Sequence, residues 1–301
     1  MFFKSINELV KIAENTNCPI SAIVIENQTK DMDRSEQDLL QQMDKNWSVM
    51  VEAMKHGLSD DVKSVSGLTG GDAKKLHLSF LAGNSIASGP VMQAVARALA
   101  VAEVNAAMGK IVATPTAGSC GVLPAVIYTV AEQKQSSRER IVRALFTAAG
   151  IGMIIAREAS ISGAEGGCQA ECGSASCMAA AAAVELAGGS PTQAANAGAI
   201  ALKNVLGLAC DPVAGLVEVP CIKRNAMAAA NAMLAADLAL AGVESKIPLD
   251  EVISAMKEIG DSMPATLRET ACGGLANTPT ARLLERQLFD ILDRPSSQEK
   301  R

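Results

Sequence analysis

Five glycine-rich interruptions divide a chain that otherwise carries apolar residues at helical spacing. They are SGLTGGD (66–72), TPTAGSCG (114–121), SISGAEGG (160–167), CDPVAG (210–215) and CGGLANTP (272–279). Glycine reaches positive φ and lets backbone approach a ligand closely, and it weakens any regular element that contains it. A helical frame broken in this way can gather its loops into a site. The apolar content of 49% is carried largely by alanine, and aromatic residues make up 2%. Small residues suit closely packed helices, whereas a β-sandwich draws on β-branched and aromatic side chains. The expected fold class is all-α, mainly helical with glycine-rich loops forming the site and at most minor short strands.

The apolar spacing predicts helices over 35–55, 90–108, 137–157, 174–186, 191–208, 222–241, 249–258 and 280–292. The first carries Leu39, Leu40, Met43, Trp47, Met50, Val51 and Met54 on one stripe, and Lys55-His56-Gly57 reads as its stop. Strand-like pieces occur at Ala22–Ile25 and Leu216–Val219, too few to organise a sheet.

A net charge of −5 with no basic stripe argues against a nucleic-acid or anionic-membrane surface. No uncharged apolar run approaches the ~20 residues needed to span a bilayer. The first residues already carry charges at helical spacing and show no leader pattern, so a cytoplasmic location is expected. In a reducing compartment, grouped thiols point to metal binding or catalysis rather than to disulfides. The eight cysteines are 18, 120, 168, 172, 177, 210, 221 and 272. One grouping is local, Cys168, Cys172 and Cys177, although its spacing matches none of the standard cluster-binding runs. The other joins Cys168, Cys210 and Cys221 from separate loops. Two of these precede alanine-rich helices, whose N-terminal N–H groups and dipole favour a thiolate. Spacing alone leaves both open, beside the reading of all these thiols as small packing residues.

The segments TPTAGSCGVLPAV, SISGAEGGCQAECGSAS and LGLACDPVAGLVEVPCIKRNAM resemble the alpha chain of iron–sulfur-dependent L-serine dehydratases. The likeness extends from QQMDKNWSVM and SGLTGGDAKKL to RETACGGLANTPTARLLE, nearly the whole chain. The resemblance implies a lyase that deaminates L-serine to pyruvate and ammonia, with a separate beta chain as partner and an oligomeric assembly. It implies a 4Fe-4S cluster held by Cys168 of the GGCQ motif and by Cys210 and Cys221 of the CDPVAG…VPC motif, leaving one iron open. The chain then divides into a helical lead (1–66), a cluster-binding core (67–293) and a frayed tail (294–301) within one catalytic domain, 1–301.

Substrate carboxylate would be met by Arg224, able to make a bidentate pair, and by backbone N–H groups at Thr116, Ala117, Gly118 and Ser119 ahead of a helix. Asn225 is a further substrate-binding candidate. The general base is not identified; Lys223 and His77 are the candidates, and a base from the partner chain is a third source. Two other readings compete: an L-cysteine desulfidase of the same superfamily, and a non-catalytic oxygen-sensing iron–sulfur protein. A zinc-bound structural protein would need four ligands at finger-like spacing, and no such array is present.

Overall fold

The computed structural model describes residues 3–87 and 89–292. Among them the chain forms thirteen α-helices and no strand; the tail expected at 294–301 lies outside the described residues. In chain order these are α1 (Ile6–Asn15), α2 (Ile20–Met32), α3 (Glu36–Ser59), α4 (Asp72–Leu81), α5 (Pro90–Ala106), α6 (Val122–Lys134) and α7 (Arg138–Glu158). There follow α8 (Gly163–Gly166), α9 (Ser174–Leu186), α10 (Pro191–Lys203), α11 (Cys221–Leu240), α12 (Leu249–Ser262) and α13 (Pro279–Leu292).

The centre of the molecule is α9, which packs against α6, α7, α10 and α11. Its run Ala179–Ala183 is buried on every side, as befits a helix apolar all round. Alanine leaves little between helix axes, so neighbouring backbones approach closely and few aromatics are needed to fill the space. Serine hydroxyls fix several helix starts: Ser5, Ser35, Ser137 and Ser190 each accept a backbone N–H of the first turn. At Ser190 the reciprocal bond, its own N–H donated to Gln193 Oε1, completes a capping box.

The structure corrects several local readings. Ala22–Ile25 is helical, inside α2, where Ile20, Ile23, Val24 and Asn27 are buried at three-to-four spacing beside α7. The β-branched run misled because its burial, on a helix face, overrides local strand preference. Leu216–Val219 is irregular: Val213 N–H bonds Val219 O at 2.8 Å, and the one ladder-like pairing described is the isolated bridge between Cys210 and Arg268. Gly57 does not stop α3, which runs on to Ser59. A Cβ there would fall on the Ala100 carbonyl, so this glycine lets α3 and α5 touch backbone to backbone. Helices α4 and α6 were not foreseen, and α10 ends at Lys203, short of Leu208.

Candidate functional site

The glycine-rich segments come together around Glu171, Asp211 and α11. The thiols of interest enter from three directions. Cys168 follows α8 and opens a π-helical turn, Gln169–Gly173, that leads into α9. Cys210 lies in the irregular segment after α10, and Cys221 is the first residue of α11. All three are buried. Cys210 feels the charge of both Cys168 and Cys221, and Cys221 that of Cys168, so the three form one electrostatic group.

Their environments differ. The Cys172 thiol hydrogen-bonds Cys168, and with the Arg224 guanidinium alongside this holds Cys168 below the ordinary thiol range. Cys172 is pushed up in turn by donating to Cys168 and by burial. Burial raises Cys221 to about 12. Burial also raises Cys210, with the nearby Glu171 carboxylate adding to it. Cys172 therefore supports Cys168 as a hydrogen-bond donor. Cys177 packs in the core beside Gly198, and Cys120 packs near Val101, its thiol raised to about 12 by burial. Cys272 is exposed and donates to Thr270 O at 3.2 Å; Cys18 is partly exposed.

Two carboxylates that sequence reasoning left unassigned knit the loops. Glu171 Oε1 accepts from Thr116 Oγ1 at 2.8 Å, and Oε2 lies 3.9 Å from Cys210 Sγ. Burial raises its carboxyl, while the Thr116 hydroxyl pulls the other way. Asp211 is buried: Oδ1 accepts from Arg224 Nη2 at 2.8 Å and Oδ2 from Leu275 N–H at 2.7 Å. Gly274, at φ +57, passes so close to Asp211 that a side chain there would collide with the carboxylate. The signal for both was their place inside the cysteine motifs, QAEC and CDP.

Arg224 uses Nη1 on Ala209 O at 2.7 Å and Nη2 on Asp211, so its guanidinium holds the Cys210 loop while facing Cys168. Asn225 is fully engaged with backbone: Oδ1 accepts from Gly121 N–H at 2.9 Å, and Nδ2 donates to Gly118 O at 2.7 Å and Cys221 O at 3.0 Å. It clamps the 114–121 loop to the start of α11. Ala117–Ser119 form a 3-10 turn just before α6, with Thr116 at its N-cap. Lys223 pairs with Asp72 at 2.5 Å on the exposed side of α11, and His77 lies half-buried on α4. Thr69 donates to the buried Glu218 at 2.7 Å, tying the 66–72 loop to the segment before Cys221.

Among the described residues no three His, Cys, Asp or Glu side chains are gathered tightly enough to hold a single metal ion. A polynuclear cluster draws each thiolate to a different iron, so its ligands need not converge on one point. The donor set fits such a group chemically: three buried sulfurs from separate segments, with a guanidinium to balance charge.

The chain matches the family described as serine dehydratase alpha chain over residues 15–276. It is 55% identical over 287 residues to the probable L-serine dehydratase, alpha chain, of Bacillus subtilis (strain 168), covering 95% of each chain. It is 44% identical over 282 residues to the L-serine dehydratase, alpha chain, of Peptoniphilus asaccharolyticus, covering 94% of this chain and 97% of that one. A longer relative, the L-serine dehydratase of Streptomyces coelicolor, is 41% identical over 284 residues, which span 91% of this chain and 60% of the relative.

Proposed function

This chain belongs to the serine dehydratase alpha-chain family, and on that premise we propose that it deaminates L-serine to pyruvate and ammonia, acting with a separate beta chain in an oligomeric assembly. The observation that carries the site reading is the burial of Cys168, Cys210 and Cys221 on separate segments, with Arg224, one turn beyond Cys221 on α11, bonded to Ala209 O and Asp211 on either side of Cys210. These three thiolates are the proposed holders of a 4Fe-4S cluster, which when bound supplies an open Lewis-acid position for the departing hydroxyl.

N–H groups of Thr116, Ala117, Gly118 and Ser119, in the first turn before α6, lack partners within that turn and suit a carboxylate. Arg224 adds positive charge beside Cys168 and holds the Cys210 loop in register through Asp211. Asn225 serves substrate binding by fixing the 114–121 loop against α11. Glu171 braces the same loop through Thr116. Loss of the α-proton and the β-hydroxyl gives aminoacrylate and water; tautomerisation and hydrolysis then release pyruvate and ammonia. Lys223 and His77 remain the candidates for taking the α-proton, with the partner chain as the other source.

The test is reconstitution with iron and sulfide under strict anoxia, with pyruvate measured from L-serine and from L-cysteine. L-Serine is the expected substrate, and Cys168→Ser, Cys210→Ser and Cys221→Ser each abolish turnover. Intact activity in any one of the three overturns the ligand assignment. Faster release of sulfide from L-cysteine would favour the desulfidase reading.

A further inference from the structure

A groove of about 710 Å³ is walled by α13 and by three of the glycine-rich segments. Ser66, Ala117, Ala214 and Gly215 bring those segments to it, and Leu288 and Phe289 bring α13. Most of the remaining wall is aliphatic, from Val65, Ala106, Met108, Leu216 and Val217. Three of these apolar side chains stand open to water: Val65 is 76% exposed, Met108 82% and Phe289 53%. Exposed apolar residues scattered singly mean little, but gathered on one concave surface they mark a place where something binds. Glu218 is the one ionisable side chain in the lining; it is buried, and its Oε2 accepts from Thr69 Oγ1 at 2.7 Å. Among the described residues that line the groove, none is Lys, Arg or His.

We infer that the beta chain docks in this groove through an apolar segment free of acidic side chains, an inference that rests on the beta-chain reading proposed above. Three other occupants are disfavoured. L-Serine, a small zwitterion, gains nothing from aliphatic walls that offer no cation to its carboxylate. A second copy of this chain, related by a two-fold axis, would set the same patch against itself. Two concave walls cannot fill each other, and the pair of Glu218 side chains would add like charges. The residues that follow α13, DRPSSQEKR, offer Pro295 as their one apolar side chain, too little to cover such a wall. A separate chain can supply what the groove lacks, aliphatic or aromatic anchors on a helix or loop laid beside α13. With Glu218 in the lining and no cation to offset it, Asp or Glu on that segment is selected against. The position also bears on the site. Ala117 belongs to the loop proposed to meet the substrate carboxylate, and Ala214 and Gly215 to the segment joining Cys210 to Cys221. A partner lodged here therefore braces both loops at once.

The full chain, reconstituted with iron and sulfide under anoxia, is titrated with the purified beta chain of the same organism and followed by sedimentation velocity. Met108→Asp and Phe289→Asp replace exposed side chains, and unchanged helicity by circular dichroism shows that each still folds. Each is expected to raise the Kd for the beta chain by about tenfold or more. Leu78→Asp, on α4 and outside the groove, changes a side chain that is 56% exposed and is expected to leave the Kd within about threefold. An unchanged Kd in both groove variants overturns the inference while the beta-chain reading stands. So does a Leu78→Asp chain weakened as much as the groove variants. Wild-type chains that fail to associate up to about 100 μM overturn the beta-chain reading itself, and the inference with it. Self-association of the chain without its partner, lost in Met108→Asp, gives the groove to a second copy and likewise overturns the inference.

Discussion

One buried amide, that of Asn225, 1% exposed, satisfies three backbone groups from two segments. Truncation strands the buried Gly121 N–H and takes the donor from the partly buried Gly118 carbonyl. Each orphaned buried group costs about 1–3 kcal/mol, so Asn225→Ala is expected to lose about 2–4 kcal/mol in urea unfolding. A loss below about 0.5 kcal/mol, the range of a neutral surface change, would remove the clamp from the account. The sequence signalled Asn225 only as a polar neighbour of Cys221, which made it a candidate to touch substrate. Its engagement with Gly118 and Gly121, more than a hundred residues away in the chain, had no local signature. The proposed ligand thiols had a sequence signal of their own. Cys168, Cys210 and Cys221 each stand at a glycine or proline break, and the family resemblance selects among the groupings. Glu171 and Asp211 were marked only by their place inside the cysteine motifs, because their roles exist only once separate loops meet.

At the scale of elements, periodicity located helices whose apolar stripe faces one side, such as α3, α7 and α12, to within a few residues. It failed where the pattern had no stripe to show. Helix α6 (VLPAVIYTVAEQK) is buried over most of its length, and α2 presents a β-branched run, so neither reads as amphipathic. Gly57 gives the sharpest test of why composition and packing must be read together. Glycine to alanine within an exposed helix gains about 1 kcal/mol from propensity. In α3 the added methyl would meet the Ala100 carbonyl of α5, and overpacking of this kind costs about 1–3 kcal/mol. Gly57→Ala is therefore expected to lower the thermal midpoint. A raised midpoint would mean that α3 and α5 can part without penalty. The loops beside Cys210 carry strain: Ala214, Glu269 and Ala271 hold positive φ of 55°, 61° and 54°. Such conformations cost about 1–3 kcal/mol each and persist where surrounding structure enforces them.

Across the whole molecule, an alanine-packed frame holds the loops, and buried carboxylates fasten the frame to them. Glu103 of α5, 1% exposed, accepts from Asp72 N–H at 2.7 Å and Ala73 N–H at 3.3 Å, anchoring the start of α4. Asp72 in turn reaches Lys223 of α11, so one chain of contacts joins three helices. Burial pushes the Glu103 carboxyl up from 4.5, with the Asp72 carboxylate adding to it; the two N–H bonds and Lys223 oppose this without cancelling it. The direction fixes the sign of the pH dependence. Folded Glu103 keeps its proton to higher pH than the unfolded chain does, so its stabilising contribution is complete below the unfolded value and is lost as pH rises through the folded one. The stability difference between wild type and Glu103→Gln should therefore move against the wild type from about pH 4.5 upward, by at most about 1.4 kcal/mol per pH unit. Urea unfolding of both proteins across that range measures it. A difference that stays level with pH, or one that moves in favour of the wild type, would mean that the α4 N-terminus compensates the buried charge fully.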